Sequence, residues 1–216
     1  MEEIRKMSTR TSLLGRTLIA AIYLFGSPSY SQPTPPILEG LWETGWLEEV
    51  PGYLHKFQRE FIGNQMIARS IVLLTTPSRG LYSFEVEMKY TYVIGKFLRG
   101  ADDRSVYELD IVSDKLMVTP RTHSAAGLFW QRQECGLVNW KVNEPTDASG
   151  RVCETAGENK KWPTKGEYKS YDIAETGKGS MRFGDIFSDH SLNGTTPLLR
   201  PHALTPNEYY QVKTTR

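Results

Sequence analysis

The sequence predicts an all-β protein, an antiparallel barrel or sandwich of about eight to nine short strands with an irregular C-terminal tail. The main observation is the stretch Leu81–Gly95, in which apolar and polar residues alternate with a period of two. Such alternation is typical of a strand that has one packed face and one face in water. Turn residues recur at the spacing of short strands, and strands do not alternate with long helices. The 216 residues, of which 39% are hydrophobic, suffice for one core.

Residues 1–31 differ from the rest and are predicted to be a secretory signal peptide. Four basic residues precede the apolar segment Leu18–Phe25, and Ser29 and Ser31 provide the small residues of a cleavage site. The alternative is a membrane anchor, but the apolar run is well short of the ~20 residues that a spanning helix needs. We therefore expect a mature chain that begins at Gln32 and is secreted or periplasmic.

The remaining sequence divides into a proline-rich lead-in at 32–37, a β domain at 38–210 and a disordered tail at 211–216. Nine runs in the β domain have strand-like composition and alternation. Tyr53–Ile62 also fits a helical spacing, which leaves a short amphipathic helix as an alternative there. The predicted strands are Leu41–Leu47, Tyr53–Ile62, Met66–Thr75, Leu81–Gly95, Val106–Val112, Lys115–Thr119, Leu137–Val142, Tyr168–Glu175 and Ser180–Phe187.

Turn-forming residues separate these strands, among them Gly63-Asn64, Gly100–Asp103 and Ser113-Asp114. No proline lies between Pro77 and Pro120. Because proline cannot donate to a central ladder, the continuous part of the sheet is expected in this region.

Beyond Pro120 the alternation weakens. Thr122–Arg132 is predicted to form a short helix or a lid, and the polar segment Glu144–Thr164 a surface loop. The C-terminal tail contains Pro197 and Pro201 together with several leucines and tyrosines. We expect it to pack across the outside of the sheet.

Cys135 and Cys153 are the two cysteines of the chain and are separated by 18 positions. In a chain that is predicted to be exported, an even pair at this spacing favours a disulfide. Such a bond would add roughly 3 kcal/mol by restricting the unfolded chain. A metal site or a nucleophilic cysteine is the alternative, but the neighbouring sequence lacks supporting ligands.

Charge and motifs argue against several classes of function. The chain has 26 Lys and Arg against 25 Asp and Glu, so nucleic-acid binding is not indicated. Neither a nucleophile elbow, a phosphate-binding glycine loop nor a zinc-protease motif is present, and no cofactor is expected. Asp185, Asp189 and His190 are the candidates for a metal site, and the same three residues with His123 are the candidates for a secreted hydrolase. Turn formation is the more common role of acidic residues in such a connection.

The apolar face of the long strand is the most informative candidate site. It brings phenol groups into an otherwise apolar surface, and a barrel of about eight strands can enclose one small ligand. The alternative is a filled core in which these residues touch only each other. The candidate ligand-binding residues are Tyr82, Phe84, Val86, Met88, Tyr90 and Tyr92, with Trp42 near the barrel floor.

Several motifs follow one another in an order that resembles a known family. They are Gly40-Leu-Trp42, Gly95 with Gly100-Ala101, Leu116–Thr122, Cys135–Trp140 with Cys153, Tyr171–Ile173, Arg182–Asp185, and Arg200-Pro201 with Leu204 and Tyr209. The first resembles the G-x-W that opens lipocalin barrels. The series resembles the domain of the adenomatosis-polyposis-coli down-regulated family, over about Leu38 to Tyr210.

The resemblance implies an extracellular lipocalin-like β-barrel rather than an enzyme, with Gly95 and Gly100-Ala101 as a turn at the end of the long strand. Animal members look like two such domains followed by a membrane anchor, and they inhibit Wnt signalling by engaging the lipid-modified Wnt ligand and its co-receptor. We expect this chain to depart from them in having one domain and no C-terminal anchor. The sequence has one cysteine pair, and Leu47 stands where they tend to have a cysteine. The resemblance therefore implies the fold and an apolar pocket for this chain, but not the role in Wnt signalling.

Three functions remain to be compared with the structure. The first is a secreted binding protein whose partner is an apolar small molecule or a lipid-modified molecule. The second is a protein-interaction module that uses its loops, especially Glu144–Thr164 with an exposed Trp162. The third is the secreted hydrolase.

Overall fold

A computed structural model describes residues 36, 38–76, 80–155, 158–177, 179–185 and 193–213. The predicted signal peptide and most of the lead-in lie outside these residues. The described helix α1 is His123–Arg132. The described strands are β1 (Gly40–Glu43), β2 (Leu47–Val50), β3 (Tyr53–Ile62), β4 (Gln65–Thr76), β5 (Gly80–Ala101), β6 (Arg104–Pro120), β7 (Thr146–Asp147), β8 (Val152–Thr155), β9 (Glu158–Lys161), β10 (Lys169–Gly177), β11 (Ser180–Phe183) and β12 (Tyr209–Gln211).

Eight antiparallel strands form a closed ring in the order β1-β12-β11-β10-β6-β5-β4-β3, and β3 closes it by pairing with β1. β2 extends the sheet beside β3, β7 pairs with β6, and β8 and β9 form a separate hairpin. The predicted all-β fold, an antiparallel lipocalin-like barrel, is confirmed. No helix in the described part of the chain has both the length and the hydropathy needed to cross a membrane.

The first hairpins show how local sequence sets the strand ends. The predicted strand Tyr53–Ile62 matches β3 at both ends, which excludes the helical alternative. The predicted strand Leu41–Leu47 is wrong as a single element, because β3 pairs with two different strands. Glu43 pairs with Gln58 and Leu47 with His55, so four steps along the first segment oppose three along β3. The extra residue breaks the segment into β1 and β2.

The predicted turn at Ser113-Asp114 is also wrong. β6 runs through it for 17 residues, because Lys89 pairs with Lys115 and Tyr90 with Ser113, which leaves Asp114 as a bulge. One extra residue reverses the alternation of a strand, so the apolar residues stay inside on both sides of the bulge. The buried or partly buried inner positions are Leu109, Ile111 and Ser113 before it and Leu116, Val118 and Pro120 after it.

The long strand β5 extends beyond the predicted end at Gly95. It has 22 residues and pairs with β6 as far as Ala101, with irregular register after Ile94. The chain reverses at Asp102 and Asp103, whose φ angles are 50° and 64°. Two successive positive φ angles are those of a type I′ turn, which suits the twist of a hairpin.

The region after β6 departs most from the prediction. Thr122–Arg132 does contain a helix, α1, but Leu137–Val142 is not a strand. After the 3₁₀ turn Glu134–Gly136, Leu137 and Trp140 instead pack beside α1. The predicted surface loop at 144–164 contains β7 and the β8–β9 hairpin.

The tail is irregular over most of 193–208, as predicted, and part of it packs on the outside of the barrel. Arg200 Nη2 lies 2.6 Å from an oxygen of Asp110, and its guanidinium carbon lies 5.7 Å from the Tyr171 ring centroid. The tail also supplies β12, which pairs with β1 and β11 and thereby completes the ring. The predicted disordered segment at 211–216 thus begins inside a strand, and 214–216 lie outside the described residues.

The buried side chains form two clusters at opposite ends of the barrel. The closed-end core consists of Leu38, Trp42, Phe61, Met66, Ala68, Tyr90, Leu109, Ala174, Met181, Phe183 and Tyr209. The cap core consists of Leu116, Val118, Ala126, Phe129, Cys135, Trp140, Ala148 and Cys153.

Candidate ligand cavity

A cavity of about 400 Å³ lies between the inner face of the barrel and the cap core. Its volume is within the range of roughly 300–1,000 Å³ that small-molecule sites occupy. The barrel side is formed by Tyr53, His55, Ser70, Val72, Tyr82, Phe84, Val86, Met88 and Val118. The cap side is formed by Phe129, Arg132, Glu134, Cys135, Cys153 and Trp162.

Strand register brings the barrel-side residues together. Val72 lies opposite His55 on one side and opposite Phe84 on the other. Val86 lies in the next inward row of the same sheet, between Ser70 of β4 and Val118 of β6. Because every second residue of each strand points inward, four neighbouring strands form one continuous apolar wall.

Helix α1 forms the roof of the cavity. Thr122 caps its first turn, because the Thr122 Oγ1 accepts hydrogen bonds from the N–H groups of Ala125 and of Ser83 in β5, both at 3.2 Å. The helix start is therefore attached to the barrel. Phe129 then points into the cavity, and its ring centroid lies 5.6 Å from that of Phe84. This edge-to-face contact is of the kind that aromatic pairs favour.

The predicted disulfide between Cys135 and Cys153 is confirmed and belongs to the wall of the cavity. It joins the segment after α1 to β8, and a carboxylate oxygen of Glu134 lies within 4.8 Å of both sulfur atoms. Because both sulfur atoms are in the disulfide, neither is a thiolate that could bind a metal ion. Trp162 was predicted to be exposed but is partly buried against the cap core.

Four of the predicted site residues lie together in the cavity wall. Tyr82, Phe84, Val86 and Met88 are successive inward residues of β5, and all four line the cavity. Each keeps part of its surface accessible, although it points inward, because the space between barrel and cap is not filled.

The other three predicted residues lie outside the cavity wall. Trp42 is buried in the closed-end core, where its indole N–H donates to the Leu38 carbonyl at 2.9 Å. The hydroxyl of Tyr90 donates to the sulfur of Met88 at 2.9 Å, and burial raises the pKa of Tyr90 to about 12. The hydroxyl of Tyr92 donates to the Gly63 carbonyl at 2.8 Å. The alternating face predicted as one site is therefore divided between a packed core and a cavity.

Several cavity residues were not predicted. His55 had a readable signal, because it shares the inward parity of Phe57 and Phe61 in the correctly predicted β3. Phe129, Arg132 and Trp162 had no such signal. They come from elements that are distant in sequence and meet the barrel only after the chain has folded.

The hydrolase candidates that the structure describes are not brought together. Asp185 follows β11, and continuing the β11–β10 pairing places it beside Asp172, whose row contains Ile94 of β5. His123 begins α1 near the level of Phe84. Ten residues along a strand correspond to about 30 Å. The other two candidates, Asp189 and His190, lie outside the described residues.

Comparison with known proteins adds no relative to this picture. No protein-family model matches the sequence, and no curated protein gives a significant match.

Proposed function

We propose that this chain is a secreted, lipocalin-like binding protein that holds an apolar ligand, such as an acyl chain, between the β5 wall and α1. The observation that carries this proposal is the cavity of about 400 Å³ above Tyr82, Phe84, Val86 and Met88. Binding of an apolar molecule in this space is favourable by about 0.8 kcal/mol for each methylene buried, because water is displaced from apolar surface.

The chemistry of the wall agrees with an orienting role for a few polar groups. His55, Ser70, Arg132 and Glu134 are polar side chains in a lining that is otherwise mostly aromatic and aliphatic. Sites for small molecules commonly combine a large apolar lining with a few polar groups that fix orientation. Nothing in this arrangement requires a catalytic group, and we propose a binding role rather than an enzymatic one.

Two further observations support export and the family relation as parts of the proposal. The disulfide is of a type that persists in oxidising compartments, and the first 31 residues have the composition of a signal peptide. The closed barrel is the fold that the resemblance to the adenomatosis-polyposis-coli down-regulated family implies.

Filling the cavity tests the proposal. Val86→Phe adds a ring to the wall, and we expect it to weaken binding of oleate at least tenfold in a fluorescence or native mass spectrometry titration. Val93→Phe, on the same strand but with 63% of its surface exposed, is the matched control and should bind as the wild type does. Absence of oleate uptake by the wild type, with the cavity free of co-purified lipid, would overturn the proposal. Equal binding by both variants would also overturn it.

A further inference from the structure

Arg59 is a cation on the inner face of the barrel. It lies between Phe57 and Phe61 on the same side of β3, and Phe61 is fully buried. The guanidinium carbon of Arg59 lies 5.5 Å from the ring centroid of Phe183 and 5.6 Å from that of Tyr209. Both rings belong to the closed-end core, so the charge is held inside the barrel by cation–π contacts.

The Arg59 guanidinium has no carboxylate within ion-pair distance among the described residues. Its hydrogen bond goes to the neighbouring Gln58 carbonyl, at 3.1 Å. Five other arginines are each paired with a carboxylate at 2.6 to 2.8 Å. They are Arg69, Arg104, Arg121, Arg182 and Arg200. A charge that is partly removed from water without a direct ion pair is costly, and an anion that reached it would lower that cost.

The strand register places Arg59 next to the cavity floor. Arg59 and Met88 lie on opposite sides of Ala68 in one cross-strand row. Met88 lines the cavity, and Ala68 contributes only a methyl group between them. The next row towards the closed end, Phe61 with Met66 and Tyr90, is fully packed. Arg59 therefore lies at the boundary between the cavity and the closed-end core.

We infer that the ligand is an acyl chain with a terminal carboxylate, which pairs with Arg59 at the floor while the chain extends towards α1. The inference rests on the proposed function and adds the charge and the orientation of the ligand. A carboxylate matches the planar donor geometry of a guanidinium and forms the strong, charge-assisted hydrogen bonds of such pairs.

The charge of Arg59 affects the pKa values of two other groups, the Asp172 carboxyl and the Tyr90 hydroxyl. The Asp172 carboxyl accepts hydrogen bonds from the N–H groups of Ile173 and Gly184, at 2.7 and 3.0 Å. Burial raises the pKa of Asp172 to about 6, although these two hydrogen bonds and the charges of Arg59 and Arg200 oppose this. Both amides bond to the same oxygen of Asp172, and the carboxyl is not within ion-pair distance of the guanidinium, so the ionised Asp172 acts on Arg59 only at a distance. The hydroxyl of Tyr90 stays protonated at neutral pH, so it adds no competing negative charge.

The test compares ligands of equal length that differ in charge. Wild type, Arg59→Gln, Arg132→Gln and Arg151→Gln are titrated with oleate and with oleyl alcohol, by native mass spectrometry or by displacement of a fluorescent probe. We expect wild type and the exposed-site control Arg151→Gln to bind oleate at least tenfold more tightly than the alcohol. Arg59→Gln should lose this preference while its affinity for the alcohol changes less than threefold.

The outcomes separate the inference from the proposed function. Wild-type binding of both ligands with equal affinity would overturn the inference and leave the binding function in place. Binding of neither ligand would overturn the function itself. Loss of the preference in Arg132→Gln but not in Arg59→Gln would place the carboxylate at the cap and contradict the inference.

A second measurement needs no variant and covers the case in which Arg59→Gln does not fold. Oleate labelled with ¹³C at its carboxyl carbon is bound to the wild type and titrated by NMR. A carboxylate beside a guanidinium is stabilised in its ionised form, so its pKa should fall below that of free monomeric oleate. An unchanged or raised pKa would contradict the inference.

Discussion

The two ends of strand β5 have the same alternating pattern but different packing. At the closed end, Met66 pairs with Tyr90 on one side and with Phe61 on the other, and these residues are at most 7% exposed. At the other end, Phe84 and Val86 point inward in the same way but remain partly exposed. The difference lies in what faces them. The closed end is filled by β11 and β12, whereas the open end is roofed at a distance by α1 and the disulfide.

This comparison separates two uses of one apolar face. A filled core contributes to the free energy of unfolding through close packing. A face that is left partly uncovered contributes less to stability and keeps a site for a ligand. Changes at the closed end should therefore act mainly on folding, and changes at the open end mainly on binding.

The largest expected difference is between two phenylalanines. Phe61→Ala at the closed end should lower the free energy of unfolding by about 3–5 kcal/mol, because the removed ring leaves a cavity in a packed core. Phe84→Ala should cost less than half as much, because its ring already borders an open space. Urea unfolding of both variants measures the difference. Equal losses would mean that the two ends are packed alike.

The disulfide should stabilise the cap more than the barrel. Replacement of Cys135 and Cys153 by alanine removes a cross-link over 18 positions, and we expect a loss of about 3 kcal/mol in the free energy of unfolding. Hydrogen exchange should become faster in α1, while the amides of the β5–β6 ladder remain protected. Faster exchange throughout the ladder, with no selective effect on α1, would show that the disulfide stabilises the cap core and the barrel alike.

The buried carboxyl of Asp172 should make stability depend on pH. Its pKa is raised to about 6, above the ~3.9 of an unfolded aspartate. The folded state therefore binds this proton more tightly, so the contribution is fully present below about pH 4 and is lost as pH rises through 6. Asp172→Asn cannot ionise, and its stability relative to wild type should rise by up to about 3 kcal/mol between pH 4 and 7.

The control for this profile is Asp103→Asn in the exposed β5–β6 turn, where a positive φ suits asparagine. Its stability should follow that of the wild type across the same pH range. Parallel profiles for Asp172→Asn and wild type would show that the Asp172 carboxyl has the same pKa in the folded and unfolded chain.

The smallest expected effect concerns the attachment of α1 to the barrel. Thr122→Ala removes the oxygen that accepts from Ala125 and from Ser83, and the expected loss is about 1 kcal/mol, the usual value of an N-cap. Because α1 covers the cavity, weaker attachment of α1 should also let oleate dissociate faster. Thr91→Ala, at an exposed position of β5, is the control. An unchanged dissociation rate in Thr122→Ala would show that α1 does not limit ligand release.

Local patterns predicted the fold well where they were bounded by turn residues. β3 was predicted to the residue because Pro51-Gly52 and Gly63-Asn64 enclose a clean alternation. Ser113-Asp114 has the composition of a turn, yet it forms a bulge, because pairing along the whole of β5 outweighs the local preference. Leu137–Val142 has the composition of a strand, but packing beside α1 takes the place of strand pairing.

The site could be predicted only as far as its strand face. The period of two identifies which residues of β5 point inward, and it treats Val86 and Tyr90 alike. Whether an inward residue meets a packed core or a cavity depends on α1, Trp162 and the closing strand β12, and their positions are set by tertiary contacts. The interior charge at Arg59 likewise becomes informative only when its neighbours are known.

Methionine methyl NMR tests the difference between the two ends most directly. Met88 lines the cavity, Met66 and Met181 are at most 3% exposed in the closed-end core, and Met117 lies on the outer face of β6. With ¹³C-labelled methyl groups, added oleate should shift the Met88 signal and leave the other three nearly unchanged. A shift at Met66 or Met181 as large as that at Met88, or no shift at Met88 at saturation, would contradict an open cavity above a filled core.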